Sequence, residues 1–154
     1  MAEGEKTLVL NRKARHEYFI DETFEAGIEL KGSEVKSCRM GKANFKDGYI
    51  NIKNGEAYLV SSHISPYEKG SAYNPDPDRD RRLLLHKKQI GYLNVMSQKD
   101  GMTLIPLRLY LTKGKVKLEI GVARGKKLYD KRDSKKEADA KRQMDRAMAR
   151  NQRY

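Results

Sequence analysis

Tyr49-Ile-Asn-Ile-Lys53, then Asn54-Gly55, then Glu56-Ala-Tyr-Leu-Val60, spells a β-hairpin. The arms are rich in Ile, Tyr and Val, and Asn-Gly supplies the positive φ angles of a type I′ turn, whose twist matches its flanking strands. A second hairpin pairs residues 104–111 with 115–122 across Thr112-Lys-Gly-Lys. In its return strand Val116, Leu118, Ile120 and Val122 face one side while Lys115, Lys117 and Glu119 face the other. Pro106 cannot donate to a ladder, so its strand is expected at an edge or with a bulge. Residues 18–30 read as one or two more strands, interrupted at Gly27. Short helices are expected over 34–42, with Ser33 as N-cap, and over 84–97, where His86, Ile90 and Leu93 share a face. Residues 65–80, rich in Pro, Gly, Asn and Asp, read as a long surface loop, a length uncommon unless functional or mobile. The predicted fold is mainly β: a small antiparallel barrel of the five-stranded oligonucleotide-binding (OB) type with two or three short helices.

The totals suit a small core under a dense ionic surface. The chain has 154 residues, of which 38% are hydrophobic and 35% charged, and its net charge is +12. Such a surplus suits a polyanionic partner, because each Lys or Arg placed on a phosphate releases a condensed counterion; charge that serves solubility alone is the bland alternative. Cys38 is the single cysteine, so an intrachain disulfide framework is excluded. No run approaches the roughly 20 apolar residues of a membrane span, and residues 1–6 lack the apolar core of a signal peptide. A cytoplasmic protein is expected.

The composition changes at residue 123. Residues 124–154 hold 12 Lys or Arg against 5 Asp or Glu, a net of +7, with one Leu and no Ile, Val or Phe. Such a segment buries too little apolar surface to offset the entropy of ordering. Yet Ser134-Lys-Lys-Glu137 matches a capping box, the start signature of a helix. Two units are therefore expected: a barrel over 1–123, and a basic tail over 124–154 that is disordered when free and helical when held against a surface.

Catalytic and metal signatures are missing. Neither a Walker A pattern nor G-x-G-x-x-G occurs. One cysteine with His16, His63 and His86 makes no zinc spacing, and no cofactor is called for. Asp76, Asp78 and Asp80 alternate as in a calcium loop, but the sixth position is Arg81 and the twelfth Lys87, so acidic loop punctuation is the better reading. An enzyme is not expected.

A basic, aromatic-bearing surface remains, with nine Tyr, three Phe and no Trp. Asn11-Arg-Lys-Ala-Arg-His-Glu-Tyr18 sets three cations, an amide, an imidazole and a phenol within eight residues. Arg and Lys contact phosphates, while His and Tyr stack on unpaired bases. A charged loop with Tyr18 in the core fits the composition equally well. Lys36, Arg39 and Lys42 recur at i, i+3 and i+6 on one helical face, as RNA contacts or as a solvated surface. Arg79, Arg81 and Arg82 form a third cluster, which can also neutralise the neighbouring aspartates.

These stretches resemble the SmpB family. The likeness rests on six co-linear blocks: 11–18, Glu25-Ala-Gly-Ile28, Gly32-Ser-Glu-Val-Lys-Ser37, Gly41-Lys-Ala-Asn44, Arg82-Leu-Leu-Leu-His86 and Gly125-Lys-Lys-Leu-Tyr-Asp-Lys-Arg132. The resemblance implies an OB-type barrel that binds the tRNA-like domain of transfer-messenger RNA (tmRNA) and brings it to stalled ribosomes. It implies RNA contacts by Asn11, Arg12, Lys13, Arg15, His16, Tyr18, Glu25, Gly27, Glu34, Lys36, Ser37, Arg39 and Lys42. It also implies a tail in the empty mRNA channel near the decoding centre, along 16S rRNA, with Gly125, Lys126, Lys127, Tyr129, Asp130, Lys131, Arg132, Lys135, Lys136, Lys141 and Arg142 as contacts. Tyr129 stands where many members carry His, which keeps a ring able to stack but removes the imidazole. Elongation factor Tu as a delivery partner, and a monomeric state, are implied by the same resemblance. A ribosomal or cold-shock-like RNA binder shares the barrel and the charge but has no use for this tail. A small metal-dependent nuclease would need the acidic loop.

Overall fold

The structure is a computed structural model and describes residues 5–67 and 74–126. Among the described residues, nine strands and three helices succeed one another in the order β1 (Lys6–Leu10), α1 (Arg12–Glu17), β2 (Tyr18–Ile28), α2 (Gly32–Arg39), β3 (Ala43–Asn44), β4 (Tyr49–Lys53), β5 (Glu56–Val60), β6 (His63–Ile64), β7 (Arg81–Leu84), α3 (Lys87–Ser97), β8 (Met102–Thr112) and β9 (Lys115–Gly125). Seven strands form one antiparallel sheet in the order β1-β8-β9-β2-β7-β5-β4, and β3 pairs with β6. The sheet rolls up until β4, at one end of the order, packs against β8 near the other. It is thus a barrel-like mainly β body with seven strands in its sheet, where five were expected.

Both predicted hairpins form on the predicted turns. Asn54 and Gly55 have φ of 53° and 74°, and Lys113 and Gly114 have 51° and 77°, the two consecutive left-handed residues a type I′ turn requires. On β9, Val116, Leu118, Ile120 and Val122 point into the core with Leu59, Leu83, Leu93, Leu104 and Leu109. Burial of that row against water is the main driving force for closing the sheet. β9 continues to Gly125, two residues past the change in composition at 123.

Several local expectations need correcting. Gly27 does not interrupt its strand. β2 runs from Tyr18 to Ile28, and Gly27 pairs with Leu84 on β7 and Lys117 on β9. A Cβ at Gly27 would stand 3.1 Å from Leu84 Cβ, so a close crossing explains the glycine. Pro106 meets the bulge expected of it rather than the edge, since its strand is interior. Its missing donor is absorbed by a register shift between Pro106 and Arg108. The helix at 84–97 begins only at Lys87, because Arg81–Leu84 extend as β7 under the pull of β2 and β5. His86 becomes its exposed N-cap and leaves Ile90 and Leu93 to face the core. α1 forms where no helix was expected. It lies on the outer side of β8 and β2, where Ala14 meets Ile105, Leu107 and Ala123 in a second, small apolar cluster. No helix among the described residues is long and apolar enough to cross a membrane.

Candidate nucleic-acid interface

Asn11 sets the first part of the interface. Its side-chain oxygen accepts from the Ala14 N–H at 3.2 Å and so caps α1. Its Nδ2 donates to the Pro106 carbonyl at 2.7 Å, and its backbone N–H donates to the Leu107 carbonyl at 2.8 Å. Asn11 thereby splices the start of α1 onto the irregular stretch of β8 that Pro106 creates. With Ala14 turned inward, Arg12, Lys13, Arg15 and His16 are left on the outside. Tyr18 closes the helix and lies half-buried against the second cluster. The stretch is therefore neither a loop nor wholly solvent-facing. Beside α1 a groove is walled by Leu10, Arg12, Asn44, Lys46 and Asp47. Lys13 reaches Asp47 across it at 3.4 Å, a pair so exposed that it holds Lys13 only weakly.

The second part is α2. It starts at Gly32, not Glu34, and its N-cap is Lys31 rather than Ser33. The Glu34 carboxylate accepts the Lys31 N–H at 2.8 Å, which fills the role Ser33 was expected to play. The helix ends at Arg39. Gly41 takes φ 73°, its N–H donates to the Cys38 carbonyl, and the Lys42 N–H donates to the Ser37 carbonyl. That is a Schellman ending, so Lys42 leaves the helical row expected for it. Lys36 and Arg39 remain exposed, with the Lys36 ammonium 5.3 Å from the Tyr67 ring centroid.

Two residues assigned to RNA contact on this helix are enclosed. Glu34 is 3% exposed and Ser37 is fully buried, so they can shape the face but do not present themselves to a ligand. Glu34 is gripped by the arginines of the third cluster. Arg79 donates to it at 2.6 and 3.0 Å, and Arg81, with no exposed surface, donates at 2.8 and 3.1 Å. Arg81 also donates to the Ser62 and Pro77 carbonyls. Burial alone would raise the Glu34 pKa; Arg79, the Lys31 amide and Arg81 outweigh it and hold the carboxyl below its usual value. Arg82 turns elsewhere, to Glu56 and Glu29. The cluster thus neutralises glutamates distant in sequence rather than the adjacent aspartates. On the inner face of α2, burial pushes the Cys38 thiol up to about 12, which leaves it inert.

Glu25 and Gly27 lie at the other end of β2 from α1. Gly27 stands nine positions along β2 from Tyr18, a reach of roughly 30 Å in an extended strand. Glu25 approaches the Lys117 ammonium at 3.9 Å and accepts from the Tyr110 hydroxyl, whose pKa burial raises further. Around them Leu84, His86 and Gln89 line a shallow recess. α2 lies between the two arrays. At its start Arg79 binds both Glu34 and the Glu29 carbonyl, and at its end Gly41 comes near the Leu8 carbonyl on β1. Asn44, Leu84 and His86, which lie in the six co-linear blocks but outside the expected contacts, and Lys46, which no block covers, join the expected residues through tertiary contact. Of the tail residues, Gly125 ends β9 and Lys126 comes directly after it. Lys127, Tyr129, Asp130, Lys131, Arg132, Lys135, Lys136, Lys141 and Arg142 lie outside the described residues, as does the capping box at 134–137.

Residues 8–150 match the protein family described as SmpB protein. The chain belongs to the SmpB family. An SsrA-binding protein of Clostridium botulinum is 59% identical over 151 residues, 98% of this chain and 97% of the relative. One from Acetivibrio thermocellus is 55% identical over 152 residues, covering 98% and 99%. Among solved structures, a chain reported under "tmRNA-SmpB: a journey to the center of the bacterial ribosome" superposes with a TM-score of 0.69 at 47% identity, covering 90% of this chain and 97% of that one. The SmpB match takes in α1, α2, the recess at Glu25 and residues 127–150.

Proposed function

We propose that this protein is a non-enzymatic RNA-binding adaptor. It binds the tRNA-like domain of tmRNA and delivers it to stalled ribosomes for trans-translation. The observation that carries this reading is a near-full-length match to the SmpB family in a chain that sets exposed cations on both α1 (Arg12, Lys13, Arg15) and α2 (Lys36, Arg39). Arg12, Lys13, Arg15, Lys36 and Arg39 take phosphates, where each contact releases counterions. His16 stacks on an unpaired base. Glu34, Arg79 and Arg81 hold α2 in place so that Lys36 and Arg39 point outward. Asn11 does the same for α1.

The tail over 124–154 enters the empty mRNA channel near the decoding centre. There Tyr129 and the Asp130-Lys131-Arg132 run replace part of the missing codon–anticodon stack, and the remaining cations face phosphate walls. Elongation factor Tu joins the delivery complex, the protein acts as a monomer, and the compartment is the cytoplasm, where its partners are. The test is RNA capture from a bacterial lysate and sequencing of the bound RNA, with the full chain and a version ending at Lys126, which leaves β9 whole. Both should enrich tmRNA, and only the full chain should support tagging on ribosomes with an empty channel. Enrichment of ribosomal RNA without tmRNA would overturn the reading.

A further inference from the structure

The first helix and the last strand meet where the chain leaves the barrel. Tyr18, which closes α1, is the cross-strand partner of Gly125, the last residue of β9. One step inward Phe19 pairs with Arg124. The Phe19 ring carries two cations, Arg124 Cζ at 5.6 Å and Lys126 Nζ at 5.2 Å from its centroid. Lys126 Nζ also donates to the Arg15 main-chain carbonyl at 3.1 Å, in the last turn of α1, where carbonyls lack an intrahelical partner. The β2–β9 register slips between Ile20 and Glu22, and the intervening Asp21 accepts from the Arg124 guanidinium at 3.1 Å. The root of the tail is thus tied to the start of β2 by a ring and a carboxylate, and to α1 by a helix-end carbonyl.

We propose that Phe19 and Asp21 are positioning residues: with Arg124 and Lys126 they fix the direction in which the tail departs relative to α1. The proposal rests on the adaptor reading above. RNA held by α1 and the tail then reach the ribosome in one geometry rather than a spread of geometries. Each contact is weak at an exposed site. The strand ladder already holds β9 through Gly125, so these contacts add little to stability and act on the direction of the chain as it leaves the barrel.

The experiment uses the full-length protein carrying Phe19→Leu with Asp21→Asn, which keeps an apolar side chain at 19 and the shape at 21 but removes the ring and the charge. A second variant, Phe19→Tyr, keeps the ring. Three quantities are measured: tmRNA affinity, thermal midpoint, and tagging rate on ribosomes stalled with an empty channel. The double variant should hold tmRNA within about twofold and melt near wild type, while tagging falls about fivefold, the scale of one exposed ring–cation contact in population terms. Phe19→Tyr should tag as wild type. Unchanged tagging in the double variant, a tagging loss that merely tracks affinity or melting, or Phe19→Tyr failing as badly, would each overturn the assignment. If the unmodified protein neither bound tmRNA nor supported tagging, the adaptor reading itself would fall.

Discussion

Glu34 shows how a charged residue can become structural. Its carboxylate takes four guanidinium hydrogen bonds and one amide hydrogen bond inside the body. Glu34→Gln leaves Arg81 buried beside a neutral partner, and breaking such a pair costs about 3–5 kcal/mol. Urea unfolding should show that loss, with Arg79→Ala costing less because Arg79 is partly solvent-exposed. The same site sets an acid limit. A carboxyl held below its usual value contributes stability that is present above the unfolded-state pKa and lost as pH falls through the folded one. Wild type should therefore lose stability on acidification below the ordinary carboxylate range more steeply than Glu34→Gln, which lacks that titration. His16 is the opposite case, an exposed ring on a helix whose buried residue is Ala14. His16→Ala should weaken tmRNA binding by about 1–3 kcal/mol, the range for one base–aromatic stack. Its melting temperature should stay put, and a fall there would mark the ring as structural.

Among the elements, the hairpins depend on local chemistry and the helices on context. Asn54, Gly55 and Gly114 adopt conformations their residue types favour, whereas Lys113 takes the left-handed φ that its turn position demands. α2 starts two residues earlier than its sequence suggests because its cap comes from Glu34, a residue inside the helix rather than before it. Its end is legible in principle, since Gly41 is the left-handed residue a Schellman ending calls for. α1 has no visible amphipathic stripe, as one small residue, Ala14, is all that it buries. Gly48 tests how tightly the elements join before β4. A Cβ there would stand 2.5 Å from Ser62 Oγ, 2.7 Å from the Phe45 carbonyl and 3.0 Å from the Val60 carbonyl. Backbone cannot move aside as a flexible side chain can. Gly48→Ala should cost about 1–3 kcal/mol, the usual penalty for overpacking, read as a lower midpoint in thermal unfolding.

Across the whole molecule, charge sets how RNA binding responds to ions. If α1 and α2 carry the phosphate contacts, log K should fall linearly with log salt, by about 0.7–0.9 per phosphate neutralised. Replacing Arg12, Lys13 or Arg39 with Ala should each lower that slope by up to about one unit while leaving melting unchanged. A titration across low and moderate salt checks this, and a flat response would remove phosphate contact from the account of α1 and α2.

By itself the sequence determined the mainly β character, both hairpin turns, the inward row on β9 and the change in composition near 123. Each of these arises from neighbouring residues, through turn chemistry, period-two alternation or local charge. Only the tertiary structure decided which candidate residues face outward. Glu34 and Arg81 read as surface charges until the roll of the sheet brings residues 47 positions apart together. Gly27 read as a break until Leu84 crosses beside it. Asn11 gains its structural part, as the cap of α1 tied to β8, only because Pro106, 95 positions away, offers its amide a carbonyl. Burial and pairing of this kind depend on long-range register, which no local window of sequence contains.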